Sequence, residues 1–261
     1  ATEVFRLGGV YAIGALAYGT ETVKKVEKIV GPGNAFVTEA KRQVYGHVAL
    51  DLVAGPSEIM IIADESADPA CVAADMISQA EHGSGREQAV LATPSEDLIS
   101  RVETELARQT ADRDRKDAIE RVVDAGVFLI RVADLDEAAE LASRYAPEHL
   151  EIQTAKPGTL AKKVTAAGAI FLGPFTPEPV GDFVAGPSHV LPTGGAARFF
   201  SGLTVEAFFR RMSVLNYQKT ALLDELPALQ QIAAMEGLDG HGNSAAIREG
   251  LPARPSPNKG G

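Results

Sequence analysis

Cysteine is nearly absent from these 261 residues. A single Cys71, inside an apolar helical pattern, excludes an internal disulfide and a thiolate-rich metal site, and fits the reducing cytoplasm. No apolar run is long enough to cross a bilayer, and no charged segment followed by an apolar stretch and a small-residue cleavage site marks an exported precursor. Several diagnostic motifs are missing too. Without G-x-G-x-x-G or a P-loop there is no standard dinucleotide or nucleotide fingerprint, and without G-x-S-x-G or H-E-x-x-H the hydrolase and metalloprotease readings weaken. Positive charge is in deficit, 25 Lys and Arg against 35 Asp and Glu, for a net charge of -10. Such a surface repels nucleic-acid backbones and anionic membranes, which leaves small-molecule chemistry as the favoured class.

What is present reads as an α/β protein. Short β-branched runs at 28–30, 59–63, 89–92, 127–132, 150–153 and 169–172 alternate with amphipathic stretches, the pattern of a largely parallel sheet. Asp68 and Pro69 predict the start of a helix running to about His82, with Val72, Met76 and Ile77 on its apolar face and Gly83 as its stop. Ser95, with Glu96 and Asp97 behind it, predicts the start of another. After about Thr204 the pattern is helical only, with 221–235 the longest segment. Residues 4–9 read as a strand entering a turn, so the chain is expected to begin inside a domain, and 252–261, rich in Pro, Gly and Lys, as a disordered tail. The expected division is a partial α/β domain over 1–56, an α/β domain with the reactive residues over 57–203, a helical unit over 204–250 and the tail over 251–261.

Five histidines are the candidates for base or metal chemistry. Gln79 and His82, three apart at a helix end, either grip one ion together or form a solvated polar face. Glu148 and His149, in Ala146-Pro147-Glu148-His149 before a strand, either divide acid and base work or are an ordinary loop pair. Asp182 and His189 lie in a glycine- and proline-marked segment that either positions a ligand or merely turns a corner. Alone, His241 reads as an exposed helix-start residue and His47 as structural. Gly31-Pro32-Gly33-Asn34 passes from a strand into a helix, where free amides can receive a phosphate. Ser57, in Ala54-Gly55-Pro56-Ser57-Glu58, offers a hydroxyl or completes a turn.

Taken in order, these motifs resemble the C-terminal part of histidinol dehydrogenase, from Gly8 to about Arg248. Most specific are residues 28–34, 51–58, 78–82, 146–151 and 189–195. The resemblance implies incomplete Rossmann-like parallel-sheet domains followed by a small helical unit, and oxidation of L-histidinol to L-histidine, by way of histidinal, with zinc and two NAD. It implies Gln79, His82, Asp182 and His241 as zinc ligands, His149 as general base, and Glu148 as the residue that activates water. Ser57, His189 and Glu236 become substrate contacts, joined there by the zinc ligands and His149, and Asn34 and Tyr11 flank NAD. It further implies a homodimer in which Glu236 and His241 serve the neighbouring subunit's site. Tyr11, where the family usually has Gln, and Gly83, where it commonly has Asp, are departures. They keep open a related zinc and NAD alcohol dehydrogenase acting on another alcohol such as a sulfonated diol, beside a truncated non-catalytic zinc-binding module. Because the family's N-terminal part is missing, the isolated chain is expected to be poorly stable and inactive.

Overall fold

A computed structural model describes residues 2–252, so nearly all of the expected tail lies outside the described residues. The chain divides into two compact units, Ala1–Phe209 and Arg210–Gly261.

The first unit opens with α1 (Gly9–Tyr18), β1 (Lys28–Ile29), α2 (Ala35–Val44) and β2 (Ala49–Leu50). β1 and β2 pair in parallel around a small core that includes Ile13, Ala17, Ile29 and Val44. The strand expected over 4–9 does not form. Residues 2–8 are irregular and Val4 is 86% exposed, because a β-prone run becomes a strand only where a ladder partner and a buried face exist.

The main body is a five-stranded parallel sheet. In chain order its elements are β3 (Glu58–Ala63), α3 (Pro69–Ala80), β4 (Gln88–Thr93), α4 (Glu96–Ala111), α5 (Lys116–Gly126), β5 (Val127–Arg131), α6 (Leu135–Tyr145), β6 (His149–Gln153), α7 (Pro157–Ala161), β7 (Ala169–Leu172) and α8 (Glu178–Phe183). The strands stand in the order β5-β4-β3-β6-β7. Central β3 is apolar from Ile59 to Ala63 and fully buried there, as a strand covered on both faces must be. Ile59 and Ile61 meet Val72, Met76, Leu98, Val102 and Ile119 of α3, α4 and α5. Met60 and Ile62 meet Ala138, Ala142 and Leu160 of α6 and α7. The helix starts follow the sequence: Asp68 accepts from Ala70 N at 2.8 Å with Pro69 at the first position, and Ser95 accepts from Leu98 N at 3.2 Å. α3, however, ends at Ala80, and His82 sits in the turn beyond it.

The chain runs outward from β3 to β5, crosses back, and lays β6 on the other side of β3, so the sheet reverses direction between β3 and β6. Ligands of such sheets bind beyond the carboxyl ends of the strands at that switch. Here Asp64, directly after β3, spans the gap: its Oδ2 accepts from Ala155 N at 2.9 Å and its backbone N donates to Gln153 O at 3.3 Å. The polar residues gather instead at the amino edge, where Glu58, Gln88 and His149 begin β3, β4 and β6.

The second unit contains α9 (Lys219–Met235) and α10 (Asp239–Ala246), with Leu226, Ala233 and Ala245 buried. It starts at Arg210 rather than near Thr204; the turn Val205–Phe208 belongs to the first unit, where Lys28 Nζ donates to Ala207 O.

Candidate active site

The site is assembled at the amino edge by strand register. His149 pairs with Ile59, Glu151 with Ile61 and Gln153 with Ala63, so three polar side chains of β6 share the face that α3 covers. Ala146, left-handed at φ 53, ends α6 and turns the chain through Pro147 into Glu148. A non-glycine residue in that region stores strain, as functional turns often do. Gly168 then packs so closely on this turn that a Cβ there would lie 2.5 Å from Glu148 O.

Glu58 holds both candidate catalytic residues. Its backbone N donates to Glu148 Oε2 at 3.1 Å, and its carbonyl lies 3.0 Å from His149 Nδ1. A carbonyl can only accept, so Nδ1 carries a proton, and in the neutral ring Nε2 is the basic nitrogen. His149 Nε2 is buried without a hydrogen-bond partner among the described residues. It faces Glu178 Oε1 at 3.8 Å and Asp182 Oδ1 at 3.7 Å, one helical turn apart on α8. Gly181 lets α8 approach β7, since a Cβ there would overlap the Phe171 ring at 2.5 Å.

The electrostatics follow from this crowding. Burial pushes Glu148 up to about 7 against the pull of His149 and the Glu58 N–H, and it pushes Glu178 up to about 7 as well. Burial alone would depress His149, but Asp182, Glu148 and Glu178 outweigh it and the net shift is upward. Burial also raises Asp182, yet the nearby His149 ring and its charge hold it below the usual carboxylate range, with His189 adding a smaller pull. Deeper in the seam, Glu151 is driven up to about 9 by burial and by Asp75, while Gln153 donates to both at 2.8 Å.

The sequence-predicted residues fall into three places. His149, Glu148 and Asp182 come together, and His149, Glu178 and Asp182 offer ligand atoms within 4.8 Å of one another. Gln79 on α3 is 1% exposed with both amide atoms unpartnered among the described residues. Asn34, Ser57 and His82 instead line a cavity of about 680 Å³ together with Arg42 and Arg86. There Asn34 Oδ1 caps α2, accepting from Phe36 N and Val37 N at 3.1 Å each. Glu236 and His241 share a cavity of about 580 Å³ within the C-terminal unit, His189 is exposed, and Tyr11 is 77% exposed on α1. Sequence reasoning missed Glu58, Glu151 and Glu178. The alternation His149, Glu151, Gln153 in a strand carried a signal for Glu151; the Pro177-Glu178-Pro179 setting of Glu178 concealed that it begins a helix ending in Asp182 and Phe183.

Comparison with known proteins bears on this geometry. The sequence model of the histidinol dehydrogenase family matches residues 1–249. A histidinol dehydrogenase of Heliobacterium mobile is 53% identical over 246 residues, 94% of this chain and 57% of the relative. That of Geobacillus kaustophilus is 47% identical, covering 95% of this chain and 58% of the relative. The crystal structure of histidinol dehydrogenase from Elizabethkingia anophelis superposes with a TM-score of 0.84 at 36% identity, over 92% of this chain and 55% of the other. The chain thus spans somewhat more than half the length of the curated relatives it matches.

Proposed function

Because this chain belongs to the histidinol dehydrogenase family, we propose that its protein oxidises L-histidinol to L-histidine by way of histidinal, reducing two NAD with the help of one zinc ion. The observation that carries the reading is the free Nε2 of buried His149, set between Glu148 and the acidic pair Glu178 and Asp182.

The donor types fit the implied zinc: Gln79 and Asp182 offer oxygen and His82 and His241 nitrogen, a set of the kind zinc accepts. The described chain does not itself gather them, since His82 lines the Asn34 cavity and the residues whose ligand atoms stand near Asp182 are His149 and Glu178. Asn34 and Tyr11 would flank NAD, and the cavity at Asn34 has the size of a cofactor site. When bound, zinc supplies a Lewis acid for the amino alcohol and NAD takes up hydride.

The chain's own residues manage the protons. His149 Nε2 receives the hydroxyl proton as hydride leaves the carbinol carbon, while its Nδ1–H stays on Glu58 O and keeps the ring oriented. Asp182 and Glu178 stabilise the resulting imidazolium. Glu148, raised to about 7, is poised to take a proton from the water that adds to the aldehyde, and the hydrate then yields the second hydride. Ser57, His189 and Glu236 are the further substrate contacts in this reading. No helix among the described residues is long and apolar enough to cross a membrane, and we place the enzyme in the cytoplasm as a homodimer whose partner supplies Glu236 and His241. The exposed apolar side chains of Phe199, Phe208, Phe209, Val214 and Leu215 favour such an association.

The test is NADH formation from L-histidinol with zinc, in the protein at full native length, beside a His149→Ala control. Turnover lost in the control supports the reading. Turnover on a sulfonated diol but not on histidinol transfers it to the related alcohol dehydrogenase, and zinc uptake without any NADH to a non-catalytic module.

A further inference from the structure

Away from the catalytic edge, one ion pair is buried as deeply as the apolar core. Lys41 Nζ lies 2.5 Å from Asp51 Oδ1, and the two side chains are 4% and 1% exposed. Burying two charges costs desolvation that their attraction barely offsets, so such a pair is weak evidence for stability and calls for another explanation. Asp51 Oδ1 also accepts from its neighbour Leu52 N at 2.7 Å, and each partner of the pair makes a further hydrogen bond to Gly31. Gly31 N donates to Asp51 Oδ2 at 2.8 Å, and Lys41 Nζ donates to Gly31 O at 3.0 Å. The backbone of Gly31 is therefore pinned from both sides, at φ 120, where only glycine is at ease.

Gly31 opens the segment that leads to Asn34. Pro32 fixes its own φ, and Gly33 has no room for a side chain, since a Cβ would stand 2.3 Å from Val37. Few torsions thus separate the clamp from Asn34 and the first turn of α2, which line the cavity assigned above to NAD. Lys41 and Asp51 do not line it themselves.

We propose that the buried Lys41–Asp51 pair is a positioning device for the cofactor: by clamping Gly31 it sets where Asn34 and the start of α2 stand, and so sets NAD affinity without touching NAD. The inference rests on the reading of Asn34 as a cofactor contact.

The experiment compares the full-length protein with its Lys41→Met/Asp51→Asn double variant, in which the pair is replaced by neutral groups of similar size, a change buried sites often tolerate. Equilibrium NAD binding by calorimetry is measured beside steady-state kinetics. The expected result is NAD binding and KM for NAD weakened about tenfold or more, as small misplacements near a bound ligand do, with kcat at saturating NAD, KM for histidinol and zinc content unchanged. NAD binding that stays at the parent level in the folded variant overturns the proposal, and so does a parallel loss in kcat and in histidinol affinity, which marks a general effect on the fold. Asn34→Ala separates the two readings. If it leaves NAD binding intact, the Asn34 assignment fails and takes the clamp with it; if it weakens NAD binding and the double variant does not, the clamp alone is wrong. Should the double variant not fold, Gly31→Ala, which keeps the pair but strains the clamped backbone, is expected to show the same selective loss of NAD binding, and its absence refutes the clamp.

Discussion

Strand β3 carries a carboxylate at each end, and the two have opposite fates. At its carboxyl end Asp64 is half-exposed, bonded by Ser66 and Ala155, and held below the usual range despite some burial. At its amino end Glu58 is buried, keeps Oε2 unpartnered among the described residues, and is raised by burial beyond what the Gly194 and Glu148 contacts recover. Glu148 and Glu178, gathered at the amino edge with Glu58, are likewise raised by burial, to about 7 each, although Asp182 beside them is lowered. A fold keeps such costs only where strain or unsatisfied polarity is useful, so the amino edge is the place to look for chemistry although the usual rule for doubly wound sheets points to the other.

Breaking the two edges separately is the widest test of that contrast. His149→Ala removes the free Nε2 and is expected to lower kcat by about 10²- to 10⁴-fold while the protein still melts cooperatively. Asp64→Ala is expected to leave kcat unchanged and to cost about 1–2 kcal/mol of stability, as the loss of hydrogen bonds to a carboxylate does. Its pH dependence has a definite sign. Because the folded pKa of Asp64 is lowered, its stabilisation is present above the ordinary value of 3.8 and is lost as pH falls through the folded value. A kcat loss of comparable size at both edges, read from steady-state rates beside thermal melts, would erase the distinction.

The sequence made one side of this contrast legible. Helix caps at Asp68 and Ser95, the apolar run Ile59 to Ala63 of β3 and the pair Glu148 and His149 were readable because each is a local signal. The assembly of the edge was not. That His149 would lie over Glu58 depends on β6 crossing back to pair with β3, a consequence of chain reversal that no spacing encodes. Glu178 was hidden for the same reason, since it matters only because α8 lies over β6 and β7. The expected strand at 4–9 failed in the reverse direction: its local pattern was suitable and no strand among the described residues pairs with it.

A narrower test lies within the amino edge. Glu148 is raised to about 7 from an ordinary 4.5, so the aldehyde step, which needs the carboxylate, is expected to gain rate as pH rises through about 7. Glu148→Gln should remove that limb and slow histidinal oxidation about 10²-fold, with a smaller effect on the alcohol step. Stability should move the other way. A carboxyl group whose folded pKa is raised contributes its stability below 4.5 and loses it as pH climbs toward 7, so the Gln variant should show a flatter stability profile over that interval while its oxygen still accepts from Glu58 N. If the variant retains the pH limb in single-turnover measurements with histidinal, another group owns it.

The smallest expected effect concerns Gly83, the position where the resemblance leads one to expect Asp. It follows His82 at φ 71, and a Cβ there would stand 2.8 Å from Ala118 Cβ of α5. The same helix start also holds the turn through Arg115, whose Nη2 donates to His82 O at 3.3 Å, and Glu87 gathers Ser84 N and Gly85 N at 2.8 and 2.9 Å. The turn bearing His82 is therefore fixed by its backbone, which leaves room for glycine and for little else. Gly83→Ala is expected to cost about 1–2 kcal/mol, part from the left-handed backbone and part from the contact with Ala118. Ala118→Gly should cost about 1 kcal/mol on its own as a helix glycine. Because the contact disappears when either residue is shortened, the double variant should fall short of the sum by about 0.5–1 kcal/mol. Strict additivity in denaturant melts would mean that Ala118 is not what excludes a side chain here, and that the departure at Gly83 answers to the backbone angle alone.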